Sequence, residues 1–192
     1  MKQLLSDIKS CEVCKSDLPL GPRPVIAAHP DARIAIIGQA PGTKVHASGV
    51  PWDDASGKQL RKWLNISDSL FYDETKIAIV PMGFCYPGKG KTGDLPPRKE
   101  CAPLWHEPLF KAMPKLEFML LIGQYAQQYY LKTNAERNLT ETVRVYHQYL
   151  PKFFPLPHPS PRNRFWITKN PWFEKDVIPV LQQTVKEVLE NQ

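Results

Sequence analysis

Four cysteines are the residues of this sequence best suited to bind a metal. Cys11 and Cys14 form a Cys-x2-Cys pair, and 15 residues separate Cys85 from Cys101. A tight Cys-x2-Cys turn brings both sulfurs to one side, and four thiolates can hold a zinc ion or a [4Fe–4S] cluster. The second pair lacks the spacing of a zinc ribbon. Residue chemistry therefore leaves three alternatives open: an iron–sulfur cluster, zinc, or four unrelated buried thiols.

The turn made by Gly38, Gln39, Ala40, Pro41 and Gly42 is a candidate ligand site. It follows an apolar run, residues 33–37, whose β-branched residues are typical of a buried strand in a parallel sheet. In open α/β sheets, ligands bind beyond the carboxyl ends of the strands. The sequence thus predicts a site at this turn, and a plain strand-to-loop connection is the alternative.

An aromatic residue and a histidine are the candidate partners of that turn. Trp52 lies in a loop with Pro51, where an indole face can stack on a planar ligand such as a base; core packing is the alternative. His158 stands between two prolines, in a segment too rigid for a helix or a central strand. It can donate a hydrogen bond to a carbonyl or to developing negative charge, or serve only a structural role. The neighbouring Arg162 suits a phosphate group.

These residues need a framework, and the chain alternates between predicted strands and helices. This alternation predicts an α/β three-layer sandwich with a central parallel sheet, in one domain spanning residues 1–192. Strands are predicted near 33–37, 77–82, 116–122 and 153–157, with an edge strand at 143–149. Helices are predicted at 57–64 with Ser56 as N-cap, at 104–113 with an interruption near Pro108, at 124–131, and from Asn170 onward with a bend or break at Pro179. Loops are predicted at 1–30, 43–55 and 83–103.

Composition restricts the class of protein only loosely. The formal charge is +6 and the pI about 9.1, which permits a polyanionic partner without requiring one. No apolar run is long enough to span a membrane, and residues 1–10 lack the apolar segment of a secretion signal. We therefore expect a cytoplasmic protein without membrane association, in which structural disulfides are rare.

Together these motifs resemble those of a known family. The segments 38–42 (GQAPG) and 158–161 (HPSP) resemble the two signature motifs of the uracil-DNA glycosylase superfamily. The four cysteines resemble those of its iron–sulfur-bearing family 4, and the segment 49–52 is similar to the one that supplies the aromatic ring stacked on uracil. The resemblance extends from Cys11 to about Arg164, in the order of the family.

The resemblance implies a fold, a cofactor and a reaction. The fold is a parallel four-stranded sheet flanked by helices, and the cofactor is a [4Fe–4S] cluster on the four cysteines. The reaction is hydrolysis of the N-glycosidic bond of uracil or another deaminated base flipped out of DNA. The partner is then DNA carrying such a base, and we expect a monomer.

The resemblance also implies roles for individual residues. His158 would donate a hydrogen bond to the base carbonyl, Trp52 would hold the plane of the base, and Gln39 would contact the base or position water. The rest of the turn would bind substrate (Gly38, Ala40, Pro41 and Gly42), and so would the residues after the histidine, near the phosphates and the gap that the base leaves (Ser160, Arg162 and Asn163).

This sequence departs from the family at its acidic positions. Family 1 has an acid at the position of Ala40 and family 4 has one at the position of Gln39. The asparagine that reads uracil in many relatives is replaced by the segment 80–83. We therefore predict that Asp53 replaces the missing acid. Two other functions are compatible with the sequence: binding of nucleic acid without hydrolysis, and hydrolysis of a small nucleotide-like substrate.

Overall fold

In the computed structural model, which describes residues 1–190, four parallel strands form one sheet in the order β2-β1-β3-β4. They are β1 (Ile34–Ile37), β2 (Ile77–Ile79), β3 (Phe118–Ile122) and β4 (Phe153–Leu156). In the central register, Ile36 lies beside Ile79 on one side and Leu120 on the other. The predicted parallel sheet of an α/β fold is confirmed. Residues 191 and 192 of the predicted single domain lie outside the described range.

Nine α-helices lie among the described residues. Their bounds are α1 (Lys2–Lys9), α2 (Thr43–Ser48), α3 (Ala55–Leu64), α4 (Asp68–Phe71), α5 (Cys101–Lys111), α6 (Gln124–Leu131), α7 (Leu139–Arg144), α8 (Arg164–Lys169) and α9 (Ile178–Glu190).

Each face of the sheet has its own hydrophobic core, because side chains alternate along a strand. Ile34 and Ile36 of β1 pack on one face with residues of α3 and α9, including Leu60 and Leu181. Ala35 and Ile37 belong to the other core, which includes residues of α1, α5 and α6. All four residues of β1 are buried. Helices on both sides of a buried sheet are the three layers that the sequence predicts.

Backbone contacts at the two sheet edges limit further pairing. Beside β2, Ala27 forms an antiparallel bridge with Ile79, with backbone N–O distances of 3.0 and 2.7 Å. The carbonyl of Lys152, just before β4, accepts from Met119 of β3, and the carbonyl of Leu156 in β4 accepts from Gly123. Because N–H groups alternate sides along a strand, positions 153, 155 and 157 face away from β3. Two of these three residues are proline.

Several local predictions were wrong. Residues 2–9 form α1 instead of loop, because Leu4, Leu5 and Ile8 pack on the core. Residues 43–48 form α2 within the predicted loop. The predicted edge strand at 143–149 is the end of α7 and a 3₁₀ turn. Asn138 starts that helix by accepting a hydrogen bond from the amide of Glu141 at 3.0 Å.

Helix boundaries also differ at one cap and two prolines. Asp54, and not Ser56, caps α3, since its Oδ1 accepts the Gly57 amide at 2.8 Å. Helix α5 begins at Cys101 and continues through Pro108 without interruption. A π-helical turn, Phe173–Val177, precedes α9. Pro179 lacks the N–H that would bond to the carbonyl four residues earlier. The wider π-helical turn before it accommodates this missing hydrogen bond.

Candidate active site

A pocket opens at the carboxyl ends of β1, β2 and β4, where the fold predicts a ligand. The turn 38–42, Trp52 and His158, which are distant in the sequence, all line it. The remaining lining residues are mostly apolar: Val25, Val45, Pro51, Asp54, Ile79 and Pro81. The structure therefore brings together the three segments singled out from the sequence.

The indole of Trp52 lies directly on Gly38. A Cβ atom built at position 38 would be 2.8 Å from Cζ2 of Trp52, so only glycine leaves room for the ring in this position. The indole and the imidazole of His158 have centroids 5.6 Å apart and are tilted by 32°. Trp52 is thus a wall of the pocket, with only part of its surface packed on the core.

The backbone of Trp52 is held in an uncommon conformation. Its φ of +57° is in the left-handed region, which a bulky residue rarely adopts. The Arg61 Nη1 donates to the Trp52 carbonyl oxygen at 3.4 Å, and Arg61 Nε contacts Asp68 Oδ1 at 2.7 Å. A Cβ at Gly57 would lie 1.8 Å from the same carbonyl oxygen. Arg61 and Gly57 therefore fix the loop, and sequence reasoning identified neither.

His158 is positioned by the ends of β3 and β4. Buried Gln127 donates from Nε2 to the carbonyls of Leu121 (3.3 Å) and Leu156 (2.9 Å), which ties the two strands together. Asn163 donates from Nδ2 to the His158 carbonyl at 2.7 Å. Burial lowers the pKa of His158, and the carboxylates of Asp54 and Asp94 oppose this shift. The lowered pKa favours the neutral imidazole, which has one N–H to donate.

The two adjacent aspartates have different surroundings. Asp54 lines the pocket, and one of its oxygens caps α3. Asp53 is absent from the pocket lining, and its Oδ1 lies 3.9 Å from Lys44 Nζ. The structure therefore brings Asp54 to the predicted site, whereas the sequence argument selected Asp53.

The turn 38–42 and the segment after His158 also contact a hairpin formed by residues 88–95, called the 88–95 hairpin below. Within it, Leu95 N donates to Gly88 O at 2.8 Å and Gly90 N to Gly93 O at 2.6 Å. Gln39 Nε2 donates to the Leu95 carbonyl at 3.3 Å. These contacts place the hairpin next to the turn 38–42.

The residues after His158 reach the same hairpin. Arg162 Nη1 donates to the Thr92 carbonyl at 3.4 Å, and the Arg162 amide donates to Ser160 Oγ at 3.3 Å. Neither Ser160 nor Arg162 lines the pocket, so both lie at its periphery. Loop length was the only sequence signal for a role of the hairpin, since loops this long are usually functional.

A second cavity is lined by all four cysteines. The remaining lining residues come from three separate segments: Leu18, Pro24, Phe84, Arg98 and Trp105. The four thiols are free, and the Phe84 amide lies 3.4 Å from Cys101 Sγ. Burial raises the pKa of Cys101 to about 12. Pro24 lines this cavity and its neighbour Val25 lines the pocket at the turn 38–42, so the two cavities lie on either side of this pair of residues.

Two donors at the cysteine cavity lack partners. Within residues 1–190, Arg98 Nε and Trp105 Nε1 are buried without a hydrogen bond. Buried donors are rarely left unsatisfied, so an acceptor in the cavity would complete them. In the same range, no three His, Cys, Asp or Glu side chains are arranged to hold a metal ion.

No helix in the described part of the chain is both long and apolar enough to cross a membrane. Comparison with family models gives one match, the uracil DNA glycosylase superfamily, over residues 26–182. The matched range contains the turn 38–42, Trp52 and the segment 158–161, together with Cys85 and Cys101. It covers well over half of the 192 residues. The chain therefore belongs to the uracil DNA glycosylase superfamily.

Proposed function

We propose that this protein is a DNA glycosylase that hydrolyses the N-glycosidic bond of uracil or another deaminated base flipped out of DNA. The observation that carries this proposal is the convergence of the turn 38–42, Trp52 and His158 on one pocket. Membership of the superfamily supports a glycosylase-like activity on DNA. The enzyme must extrude the base because the bond is inaccessible within the stacked duplex.

His158 and Trp52 have complementary roles in this reaction. The indole of Trp52 presents a flat apolar surface for the plane of the base. As the glycosidic bond breaks, negative charge develops on the base carbonyls, and a donated hydrogen bond from His158 stabilises it. A neutral imidazole can supply this bond, and the lowered pKa favours the neutral form. In a pocket shielded from water, such a bond is stronger than in bulk solvent.

The edge of the base would meet the turn and the end of β2. Gly38, Ala40, Pro41 and Gly42 have small or compact side chains, so a flat ligand can approach their backbone closely. At the end of β2, in the segment 80–83 that replaces the asparagine of many relatives, Pro81 lines the pocket and has no N–H to donate. The edge of the base would therefore meet no backbone donor from this residue.

The phosphate backbone would bind around the segment after His158. Ser160, Arg162 and Asn163 lie there, and Arg162 uses one nitrogen on Thr92, which leaves others for a phosphate. The formal charge of +6 is compatible with such binding.

We infer that Cys11, Cys14, Cys85 and Cys101 hold a [4Fe–4S] cluster. Two buried donors without partners, Arg98 Nε and Trp105 Nε1, support an acceptor-rich group in this cavity, and zinc is the alternative occupant. Sulfide and thiolate sulfurs of a cluster accept hydrogen bonds. When bound, the cluster would cross-link the N-terminal segment to the loop after β2 and to α5. We further propose a cytoplasmic monomer, since a reducing compartment preserves such thiolates.

Oligonucleotides that each carry one uracil, hypoxanthine or xanthine test the proposed reaction. We expect the purified protein to leave alkali-labile sites at one or more of these bases. His158→Asn should lower the cleavage rate about 100-fold or more, the scale of a lost oxyanion-type donor. His147→Asn, at an exposed histidine, should leave the rate unchanged.

Other outcomes would favour the two other functions. Retained DNA binding with no cleavage of any base would indicate a binding protein. Hydrolysis of free deoxyuridine, with no salt-dependent affinity for DNA, would indicate a hydrolase of small nucleotide-like substrates, since contacts to DNA phosphates release counterions.

A further inference from the structure

A group that takes a proton from water would assist the proposed hydrolysis, and the signature turn contains none. Residues 39 and 40 are glutamine and alanine, neither of which ionises. Asp54 is a carboxylate of the pocket, but its Oδ1 is occupied by the amide of Gly57. Asp53 points toward Lys44. A carboxylate with both oxygens unengaged would therefore have to come from elsewhere in the fold.

Asp94 brings a carboxylate to the signature turn from the 88–95 hairpin. Its Oδ2 would be 3.4 Å from a Cβ atom built at Gly42, so the carboxylate lies against the turn. The next residue, Leu95, accepts the hydrogen bond of Gln39 through its carbonyl. Gln39, which stands at the position of the family 4 acid, is thus hydrogen-bonded to the residue next to Asp94.

The hairpin holds Asp94 through backbone contacts on both sides. Lys89 and Asp94 form an antiparallel bridge, and Leu95 N donates to Gly88 O at 2.8 Å. At the tip, Arg162 contacts the Thr92 carbonyl, which connects the hairpin to the segment after His158. Asp94 is therefore fixed between the two signature motifs.

The carboxylate of Asp94 is available to bind water. Among residues 1–190 it makes no side-chain hydrogen bond and no ion pair. The residue is exposed, so solvent reaches it. It is also near enough to His158 to raise the pKa of the imidazole against the effect of burial. Asp53 pairs with Lys44 at 3.9 Å and one oxygen of Asp54 caps α3, whereas Asp94, which lies just outside the pocket lining, has neither oxygen engaged.

We propose that Asp94 is a catalytic residue that orients the attacking water and accepts its proton. The water oxygen forms a bond to C1′ of the sugar while the bond from C1′ to the base nitrogen breaks. The electron pair of the broken bond leaves with the base, which His158 stabilises. The water proton passes to Asp94 and then to solvent, and the departing base takes a proton from solvent. This inference rests on the proposed glycosylase function.

Single-turnover cleavage of the preferred base is the first test. Asp94→Asn should slow the chemical step by about 10²–10⁴-fold, the range of general-base catalysis, with little change in DNA affinity. Asp94→Glu should recover part of the rate, and Glu74→Gln, at an exposed acid far from the hairpin in sequence, should have none of these effects. An Asp94→Asn variant as fast as the unchanged protein would overturn the inference and leave the glycosylase function standing.

A binding measurement separates this inference from the proposed function. Two duplexes are compared, one with a cationic pyrrolidine in place of the reacting sugar and one with a neutral tetrahydrofuran. The carboxylate should make the protein prefer the cationic duplex, and Asp94→Asn should remove the preference. If the unchanged protein cleaves no base but shows this Asp94-dependent preference, the activity fails and the placement of Asp94 stands. Equal affinity of both duplexes, or no DNA binding, overturns the inference.

Discussion

The guanidinium of Arg61 donates a hydrogen bond to the carbonyl oxygen of Trp52, with 3.4 Å between Nη1 and the oxygen. Arg61 is only 8% exposed, and its guanidinium lies over the rings of Phe71 and Tyr72, 5.1 and 5.5 Å from their centroids. Through this bond, a cation within α3 holds the left-handed backbone of the pocket aromatic. The orientation of the indole therefore depends on a residue outside the pocket.

Arg61→Met should release Trp52 while keeping most of the packing of the side chain. We expect stronger quenching of tryptophan fluorescence by acrylamide, weaker binding of base-containing DNA, and a loss of about 2 kcal/mol in the free energy of unfolding, the scale of a hydrogen bond to a charged group. Lys62→Met, at the exposed neighbouring position, is the matched control. Unchanged quenching in Arg61→Met would show that the bond does not orient the ring.

Gly38→Ala should displace the indole. The new Cβ would be 2.8 Å from Trp52 Cζ2, so the ring has to move out of its place in the pocket. We expect weaker binding of the flipped base and a destabilisation of about 1–3 kcal/mol, as is usual for overpacking. In a Trp52→Ala background the same substitution should cost little, because the clash is gone. Equal effects in both backgrounds would rule out this contact, and thermal unfolding measures them.

Asp54→Asn should lower the pKa of His158 further. Burial lowers this pKa, and the Asp54 carboxylate is the larger of the two charges that oppose the shift. Asparagine is as good an N-cap as aspartate, so α3 should be retained and the charge alone removed. Titration of the His158 ring protons by NMR measures the change. A pKa that stays the same or rises would contradict the electrostatic contact.

His106 should make folding sensitive to acid. It is 2% exposed, its Nε2 lies 3.0 Å from the Pro81 carbonyl, and burial lowers its pKa from 6.5 to about 4. The unfolded chain then binds a proton before the folded one does. Stability from this group is complete above pH 6.5 and is lost as the pH falls toward 4, by about 3 kcal/mol in total.

Urea unfolding between pH 4 and 7 tests this dependence. His106→Gln should flatten the decline of stability with falling pH, whereas His147→Gln, at an exposed histidine, should keep the wild-type slope. Parallel slopes for all three proteins would mean that His106 titrates alike in the folded and unfolded states.

Loss of the proposed cluster should change both the absorption spectrum and the unfolding temperature of the protein. Protein purified without oxygen should be brown, with a broad band near about 400 nm, the usual absorption of thiolate-bound iron–sulfur clusters. Cys101→Ala should lose the band and unfold at lower temperature, because the segments around the cavity are no longer cross-linked. Colourless protein with stoichiometric zinc would contradict the cluster.

The sheet and the site turn could be predicted because their signals are local. The run at 34–37 is uniformly apolar and ends at glycine, which leaves few alternatives to a buried strand. The segment 143–149 has a strand-like composition of β-branched and aromatic residues, yet it follows a helix start. The Asn138 cap, with Glu141 three residues later, was the signal that could have identified it.

The acids of the site could not be assigned from sequence. Which of two adjacent aspartates faces the pocket depends on the left-handed backbone of Trp52, a conformation that no sequence pattern announces. Asp94 lies more than 50 residues from the signature turn and approaches it only through the 88–95 hairpin. Local patterns identify elements, whereas convergence of distant loops depends on the whole fold.

The arrangement of prolines on β4 has a consequence for self-association. An exposed sheet edge is a template for strand addition, which leads to edge-to-edge aggregation, unless its N–H groups are interrupted. Of the three positions that face outward from β4, 155 and 157 are proline and have no N–H to offer. On the opposite edge, the backbone N–H and carbonyl of Ile79 are already hydrogen-bonded to Ala27. The fold thus protects both edges of a very apolar sheet from templated aggregation.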